Sequence, residues 1–402
     1  MIKLENISFD HCIKCTVCTI YCPVARATHK FPGPKQSGPD AERLRIKNPE
    51  LVDGSLKYCT NCKRCEIACP SDVKIASIIH DAKWKYLKKG FFRPRDFFMS
   101  HTDLIGGMGV IFSPIVNFML SLFPVKIMMD IFMKIPHRRI FPKYESGRFS
   151  KKIRRTEAEQ KKYTDRVTYF HGCFVNYNNH KLGYDLVKVL NAMNIGVDTA
   201  PEKCCGVPLI ANGYLEKAKK NGVYNIKNLT KSRETNGGKI VSTSSSCSYA
   251  LKHEYSHFLQ LDNSRIYNDI EYITKFLFSR FESGNVPEMK PVNIRVAYHS
   301  PCHLERMGGV IYTIGVLKKI PGLDLVILSS ECCGIAGTYG FKNEYYEISQ
   351  DIGSQLFRSI EKANPEFVVT DCETCAMQIE MNTNYRVLHP VNILAMALDR
   401  NG

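Results

Sequence analysis

Acidic residues are what this chain is short of: 39 Asp and Glu face 55 Lys and Arg, leaving a formal charge of +16. Such an excess calls for an acidic partner or an anionic surface. Nucleic acid is one such surface, but no helix-turn-helix, zinc-finger or RNA-binding pattern is present, so no nucleic-acid partner is expected. Gly-x-Gly-x-x-Gly, a Walker loop and a flavin-type fingerprint are also missing, and with them the usual signs of hydride transfer to an organic substrate. Met1 to Phe9 mixes charged and apolar residues and lacks the apolar run of a signal peptide. A disulfide framework of the kind found in short secreted chains therefore does not fit.

Cysteine, by contrast, is abundant: 17 thiols in 402 residues is high for a cytosolic chain unless they are metal ligands or redox groups. Eight fall in two runs, Cys12-Ile-Lys-Cys15-Thr-Val-Cys18-Thr-Ile-Tyr-Cys22-Pro23 and Cys59-Thr-Asn-Cys62-Lys-Arg-Cys65-Glu-Ile-Ala-Cys69-Pro70. Both read C-x2-C-x2-C-x3-C-P, the pattern that holds a [4Fe–4S] cube in two-cluster ferredoxins, with the fourth cysteine serving the other cube. This assigns Cys12, Cys15, Cys18 and Cys69 to one cluster and Cys59, Cys62, Cys65 and Cys22 to the second. Pro23 and Pro70 are expected to start helices leading away. Structural zinc, which needs only four ligands, suits two such runs poorly.

Between the runs, Phe31 to Asp40 is rich in turn formers, and Ala41 to Lys47 reads as a short basic helix with Arg43 and Arg45; the insertion covers the clusters, docks a partner or is a plain surface excursion. Ser71 or Asp72 is expected to cap the helix that follows, with Ile75, Ile78, Ile79 and Ala82 on one side. Residues 83 to 162 hold 18 Lys and Arg against 6 Asp and Glu, so +12 of the +16 lies there. Inside that segment Leu104 to Val125 carries no charge and is long enough for a bilayer. Gly106, Gly107, Gly109, Pro114 and Pro124 interrupt it, and the basic, amphipathic continuation to Arg139 suits the lipid interface or a partner better than a span. Burial within the chain is the remaining alternative. Lys151 to Lys162 reads as a linker.

From about Arg166 the chain repeats itself. Val167 to Phe170 leads to Cys173, then Cys204-Cys205-Gly206, then Cys247; Val296 to Tyr298 leads to Cys302, then Cys332-Cys333-Gly334, then Cys372 and Cys375. Corresponding cysteines lie 129, 128 and 128 positions apart (302−173, 332−204, 375−247). Alternating strands and helices, including a helix over 182–193 and third strands at 239–241 and 367–370, imply a parallel sheet in each copy with cysteines at the strand carboxyl ends. Five thiols in the second copy exceed what a cube needs, which favours a non-standard iron–sulfur centre or a mix of ligands and redox thiols. The first copy has Ser244 where the second has Cys372. His171, His299 and His303 stand near Cys173 or Cys302 as ligands, as tuning hydrogen-bond donors, or as residues bonding their own turns. The fold class is thus a mostly helical α+β ferredoxin-like domain (1–82), a basic and apolar helical connector (83–165), and tandem α/β Cys-Cys-Gly repeats (166–285 and 286–402).

Two ferredoxin runs followed by two Cys-Cys-Gly repeats resemble the iron–sulfur subunits grouped with heterodisulfide reductase and glycolate oxidase. Pro32-Gly-Pro-Lys-Gln, Ser100-His-Thr-Asp-Leu104, His171-Gly-Cys-Phe-Val-Asn-Tyr-Asn178, Lys203-Cys-Cys-Gly-Val-Pro-Leu and Asp371-Cys-Glu-Thr-Cys375 sharpen this. With them the chain is similar, from about His11 to Ala397, to the C-subunit family of anaerobic glycerol-3-phosphate dehydrogenases. The resemblance implies an electron-transfer protein at the cytoplasmic face of the membrane that oxidises no substrate itself. It would carry two [4Fe–4S] clusters, with flavoprotein catalytic subunits as partners and quinone, usually menaquinone, as acceptor. A heterodisulfide-reductase-like thiol–disulfide oxidoreductase, or an iron–sulfur component of another flavin-dependent 2-hydroxy-acid dehydrogenase, is the alternative it leaves. Leu104 to Phe123 is more apolar than the family leads one to expect.

Overall fold

The computed structural model describes residues 9–86 and 93–399. The amino-terminal stretch from Met1, read as unlike a signal peptide, falls up to residue 8 outside the described residues. Among the described residues, 9–86 form helices and turns without a strand. The main helices there are α1 (Pro23–Ala27), α2 (Ala41–Lys47) and α3 (Ile75–Tyr86). Cys22 caps α1, its sulfur accepting from the Ala25 N–H, so Pro23 does open a helix. Pro70 does not: it lies in a turn, and α3 begins only at Ile75. Asp72 is left-handed (φ 48°) and pairs with Lys74 instead of capping, which rules out the expected start at Ser71 or Asp72. Ile75, Ile78, Ile79 and Ala82 are all buried, as their spacing predicts. In α2, Arg45 is buried against Glu42 at 2.8 Å and bonds the Ser37 carbonyl.

Three helices carry the uncharged stretch: α4 (Thr102–Gly109), α5 (Ser113–Ser121) and α6 (Phe123–Met133). No single described helix is long and apolar enough to cross a membrane, and α4 and α5 meet at 103°. The glycines read as helix breakers lie inside α4 and serve close packing. A Cβ on Gly106 would come within 2.3 Å of the Tyr177 ring. The break falls after them, where Pro114 starts α5. Residues 151–162 are not a free linker, because Phe149, Ile153 and Gln160 are buried and Gln160 accepts the Val197 N–H at 2.9 Å.

Each repeat builds a four-stranded parallel sheet. The strands are β1 (Asp165–Tyr169), β2 (Ile195–Asp198), β3 (Ile240–Ser242) and β4 (Ile270–Tyr272), in the order β2-β1-β3-β4. The second copy repeats this with β5 (Arg295–His299), β6 (Asp324–Ile327), β7 (Phe367–Thr370) and β8 (Val387–Leu388), in the order β6-β5-β7-β8. Both β4 and β8 are additions to the three strands per copy read from sequence. Parallel pairing forces helical crossovers, which bury both faces and leave the strand carboxyl ends as the open edge. Leu186, Leu190, Leu277, Leu304, Leu317 and Leu394 belong to one continuous core, so the repeats pack as a unit.

Candidate iron–sulfur and thiol site

The two ferredoxin runs wrap through the same backbone device. Lys14 and Thr16 in the first, Asn61 and Lys63 in the second, take left-handed φ between 56° and 66°. Such residues cost energy and are held by their surroundings, here at matching places between the cysteines. The outcome is two thiol groups. Burial pushes the Cys18 thiol up, and the charges of Cys12, Cys15 and Cys69 raise it further. Cys22 is pushed to about 12 by burial and by Cys62 and Cys59. Cys65 goes well above its usual value by burial and the charges of Cys62, Cys59 and Cys22. The structure thus draws Cys12, Cys15, Cys18 and Cys69 together, and separately Cys22, Cys59, Cys62 and Cys65. The second four line a small apolar cavity closed by Phe31 and Ile79. Burial holds Cys22, Cys59 and Cys65 in the thiol form when alone, which suits a cationic core that would supply the charge turning them into thiolates. The groups differ in exposure: Cys15 is exposed, while Cys22 and Cys65 are buried.

The second group meets the second repeat. Cys332 shares an apolar cluster with Cys22, Cys65, Ile75 and Ile79. The charge of Cys62 raises both the Cys302 and the Cys332 thiols, though for Cys302 burial is the larger cause and for Cys332 its bond to Cys333 is. Arg64 locks this contact. It donates to the Ser330 carbonyl at 2.7 Å and its hydroxyl at 2.9 Å, and pairs with Glu305 at 3.1 Å.

Within the second repeat Cys302 opens a helix after β5, Cys332 and Cys333 follow β6, and Cys372 precedes α7 (Glu373–Asn382), which holds Cys375. The Cys333 and Cys375 sulfurs are 3.2 Å apart. With His299 they form a buried trio whose ligand atoms lie within 4.8 Å of one another. Both ring nitrogens of His299 are buried without a hydrogen-bond partner, so the bland reading of a histidine bonding its own turn fails there. Hydrogen bonds from Cys332 and Cys375 hold Cys333 well below the usual thiol range. Gly334 is needed here: its φ is +86° and a Cβ would meet the Ser349 carbonyl oxygen at 2.0 Å. His303, in contrast, bonds the Ser246 hydroxyl and stacks on Tyr249.

The first repeat restates the theme with Cys205 and Cys247 sulfurs 3.3 Å apart and Cys204 held low by bonds from Cys173 and Cys205. Ser244 does not take the place of a thiol. Its hydroxyl caps the next helix by accepting the Cys247 N–H and donates to Glu373 of the other repeat at 3.0 Å. His171 Nδ1 faces Glu202 at 2.9 Å, leaving Nε2 buried and unpartnered. Three carboxylates went unforeseen. Glu202 also takes the Gly172 N–H at 2.7 Å, Glu373 joins the repeats, and Asp103 accepts the Cys204 N–H at 2.9 Å. Burial and the Cys204 charge push Asp103 up to about 6. The Ser100–Leu104 stretch was the available signal for it.

A 4Fe-4S dicluster domain matches residues 8–73, and a cysteine-rich domain matches twice, over 167–252 and 296–380. The chain is 52% identical over 398 residues, 98% of its length, to all of the C-subunit of the anaerobic glycerol-3-phosphate dehydrogenase of Escherichia coli strain K12. The chain belongs to this C-subunit family. The family's wider likeness extends to the B-subunit of a fumarate reductase (CoM/CoB) of Methanothermobacter marburgensis, 26% identical over 95% of this chain and 70% of that one. It reaches also to the D-subunit of a dihydromethanophenazine:CoB–CoM heterodisulfide reductase of Methanosarcina barkeri, 23% identical over 92% and 88%.

Proposed function

We propose that this chain is the iron–sulfur electron-transfer component of an anaerobic glycerol-3-phosphate dehydrogenase, passing electrons from flavoprotein partners to menaquinone at the cytoplasmic face of the membrane. The observation that carries this is the succession of thiol groups: one that includes the exposed Cys15, one that includes the buried Cys22 and Cys65, then Cys302 and Cys332, both of which feel the charge of Cys62. Glycerol 3-phosphate gives up two electrons and two protons on becoming dihydroxyacetone phosphate, and menaquinone takes up two of each on becoming menaquinol. When bound, [4Fe–4S] clusters supply one-electron carriage between these two-electron partners. The residues that would hold them are Cys12, Cys15, Cys18 and Cys69 for one and Cys22, Cys59, Cys62 and Cys65 for the other, with the Cys-Cys-Gly thiols as candidates for further centres. The protein's part is to exclude water through Phe31, Ile75 and Ile79 and to fix the second group against Cys332 through Arg64.

Membrane attachment is assigned to α4–α6. Ile111, Ile115, Phe118, Phe123 and Phe132 are 56 to 75% exposed along with Phe112, a concentration of large exposed apolar side chains of the kind that marks an interaction site. Lys126, Lys134 and Arg138 lie along and just beyond α6, where an anionic headgroup layer would meet them. A thiol–disulfide reductase is the second reading, favoured by the low-lying Cys333 and the heterodisulfide relatives. Cys62→Ser separates the two in the assembled complex. Menaquinone reduction should cease while the flavoprotein partners still reduce an artificial dye with glycerol 3-phosphate; unimpaired menaquinone reduction would overturn the proposal.

A further inference from the structure

A cavity of about 320 Å³ lies between the two repeats, at the low end of the range of small-molecule sites. Its wall is mainly apolar, with Phe141, Val175, Leu182, Met377 and Leu388. Thiols of both repeats border it, Cys173 and Cys247 from the first and Cys372 from the second. Most polar groups on the wall are already engaged. Glu373 accepts from Ser244, and His389 bonds Tyr272 and Val391. Two buried ones are not: Thr370 Oγ1 and His171 Nε2 line the cavity and have no hydrogen-bond partner. A buried polar atom without a partner is costly and marks a place where a ligand atom completes the bonding.

One wall connects this cavity to the apolar surface. Residues 140–143 line it, and the next residue, Tyr144, is clipped to α5 by two bonds of 2.8 Å, from its N–H to Asn117 Oδ1 and from Asn117 Nδ2 to its carbonyl. Ile140 is half exposed where the segment leaves the surface helices.

We propose that this cavity seats the head group of the quinone acceptor, with one oxygen toward the Thr370 hydroxyl and the other toward His171 Nε2, and the isoprenoid tail leaving beside residues 140–144 toward α5 and α6. The Thr370 hydroxyl can donate to the first oxygen; Nε2, with Nδ1 donating to Glu202, accepts from the second once it is the hydroxyl of the quinol. The proposal rests on the quinone-reducing function proposed above. It explains why the two repeats stay together: neither alone encloses the ring, and each brings thiols to its edge. The apolar walls hold a planar ring without charge, and the surface helices keep the tail in the same phase as its membrane pool.

The test uses the assembled complex with menadione as the soluble quinone and an azido-naphthoquinone as photoprobe. Label is expected on peptides covering 140–144, 171–182 or 370–388. Thr370→Val, which removes one hydroxyl at nearly constant volume, should raise the KM for menadione about tenfold, the value of one lost hydrogen bond. Leu388→Phe, which narrows the cavity, should raise it as well and diminish labelling, while iron content and the EPR spectrum stay those of the wild type. Exposed Ile311→Ser serves as the control that changes neither. Label confined to α5 and α6, or a KM unmoved in both cavity variants, overturns the cavity assignment and leaves the quinone-reducing function standing. Label displaced by a soluble organic disulfide but not by menadione also overturns it, in favour of the disulfide reading. A wild-type complex that reduces no quinone removes both proposals together.

Discussion

Replacing Ile115, Phe118 and Phe132 together by serine tests whether α4–α6 are a membrane face. Their side chains stand 63, 63 and 75% exposed, so lipid has access to about two-thirds of each. Full burial of an Ile or Phe side chain is worth roughly 1.5–3 kcal/mol, so three such residues, two-thirds accessible, contribute about 3–6 kcal/mol. At 1.4 kcal/mol per decade this predicts vesicle binding weakened on the order of a hundredfold to ten-thousandfold. Lys126, Lys134 and Arg138 add about 1 kcal/mol each on anionic lipid, a part that high salt removes and the serine variant keeps. The assay is sedimentation of anaerobically purified protein with phosphatidylglycerol-containing vesicles at low and high salt. The substituted side chains lie on the surface, so thermal stability should stay within about a kcal/mol of wild type. Vesicle binding equal to wild type would refute the reasoning. Loss of flavoprotein assembly with vesicle binding intact would show instead that a partner protein covers this face.

Other consequences follow from single residues. Arg64→Met leaves the partly buried Glu305 without its cation but still bonded by the Ser300 and Ser330 hydroxyls, which should cost roughly 2 kcal/mol and lower the unfolding midpoint by a few degrees, with partial recovery in the double variant with Glu305→Gln. Asp81 has neither carboxylate oxygen bonded, and burial raises it from 3.8 to about 7, with Lys63 and Lys85 opposing and Glu42 assisting. The folded carboxyl therefore keeps a proton that the unfolded chain has released. Its stabilising share is fully present below the unfolded value and is lost as pH rises through about 7. Relative to Asp81→Asn, the wild type should lose about 1 kcal/mol between pH 6 and 8, read by thermal unfolding at both pH values; a parallel pH profile would contradict the assignment. Cys333→Ser should lower iron and abolish a distinct EPR signal if the second repeat holds a centre of its own, whereas about eight irons, unchanged, would mark its thiols as bare.

Local signals were legible and long-range ones were not. The eight spaced cysteines and the 128-residue offset announced the two domain types, because ligand spacing and strand–helix alternation are written in consecutive residues. β7 was read at its observed ends, and β1, β3 and β5 within a residue or two. β4 and β8 escaped because they have only three and two residues, too short for any periodicity to show. The left-handed Lys14 and Lys63 escaped because nothing in a lysine suggests positive φ. The burial of Arg45 against Glu42 escaped because a short basic stretch gives no local sign of which cation turns inward. Asp103, Glu202 and the Arg64 contact depend on elements distant in the chain, and no local pattern encodes them. Glycine misleads in α4, where it looks like a breaker and instead makes room for Tyr177.

The most direct test of the central claim is a single turnover followed by freeze-quench EPR in the assembled complex. Glycerol 3-phosphate is added anaerobically without quinone, and menaquinone follows. The account predicts that both cluster signals appear with substrate and vanish with quinone, and that Cys62→Ser retains reduced clusters that quinone no longer reoxidises. Quinone that reoxidises the flavin while the cluster signals persist unchanged would contradict it.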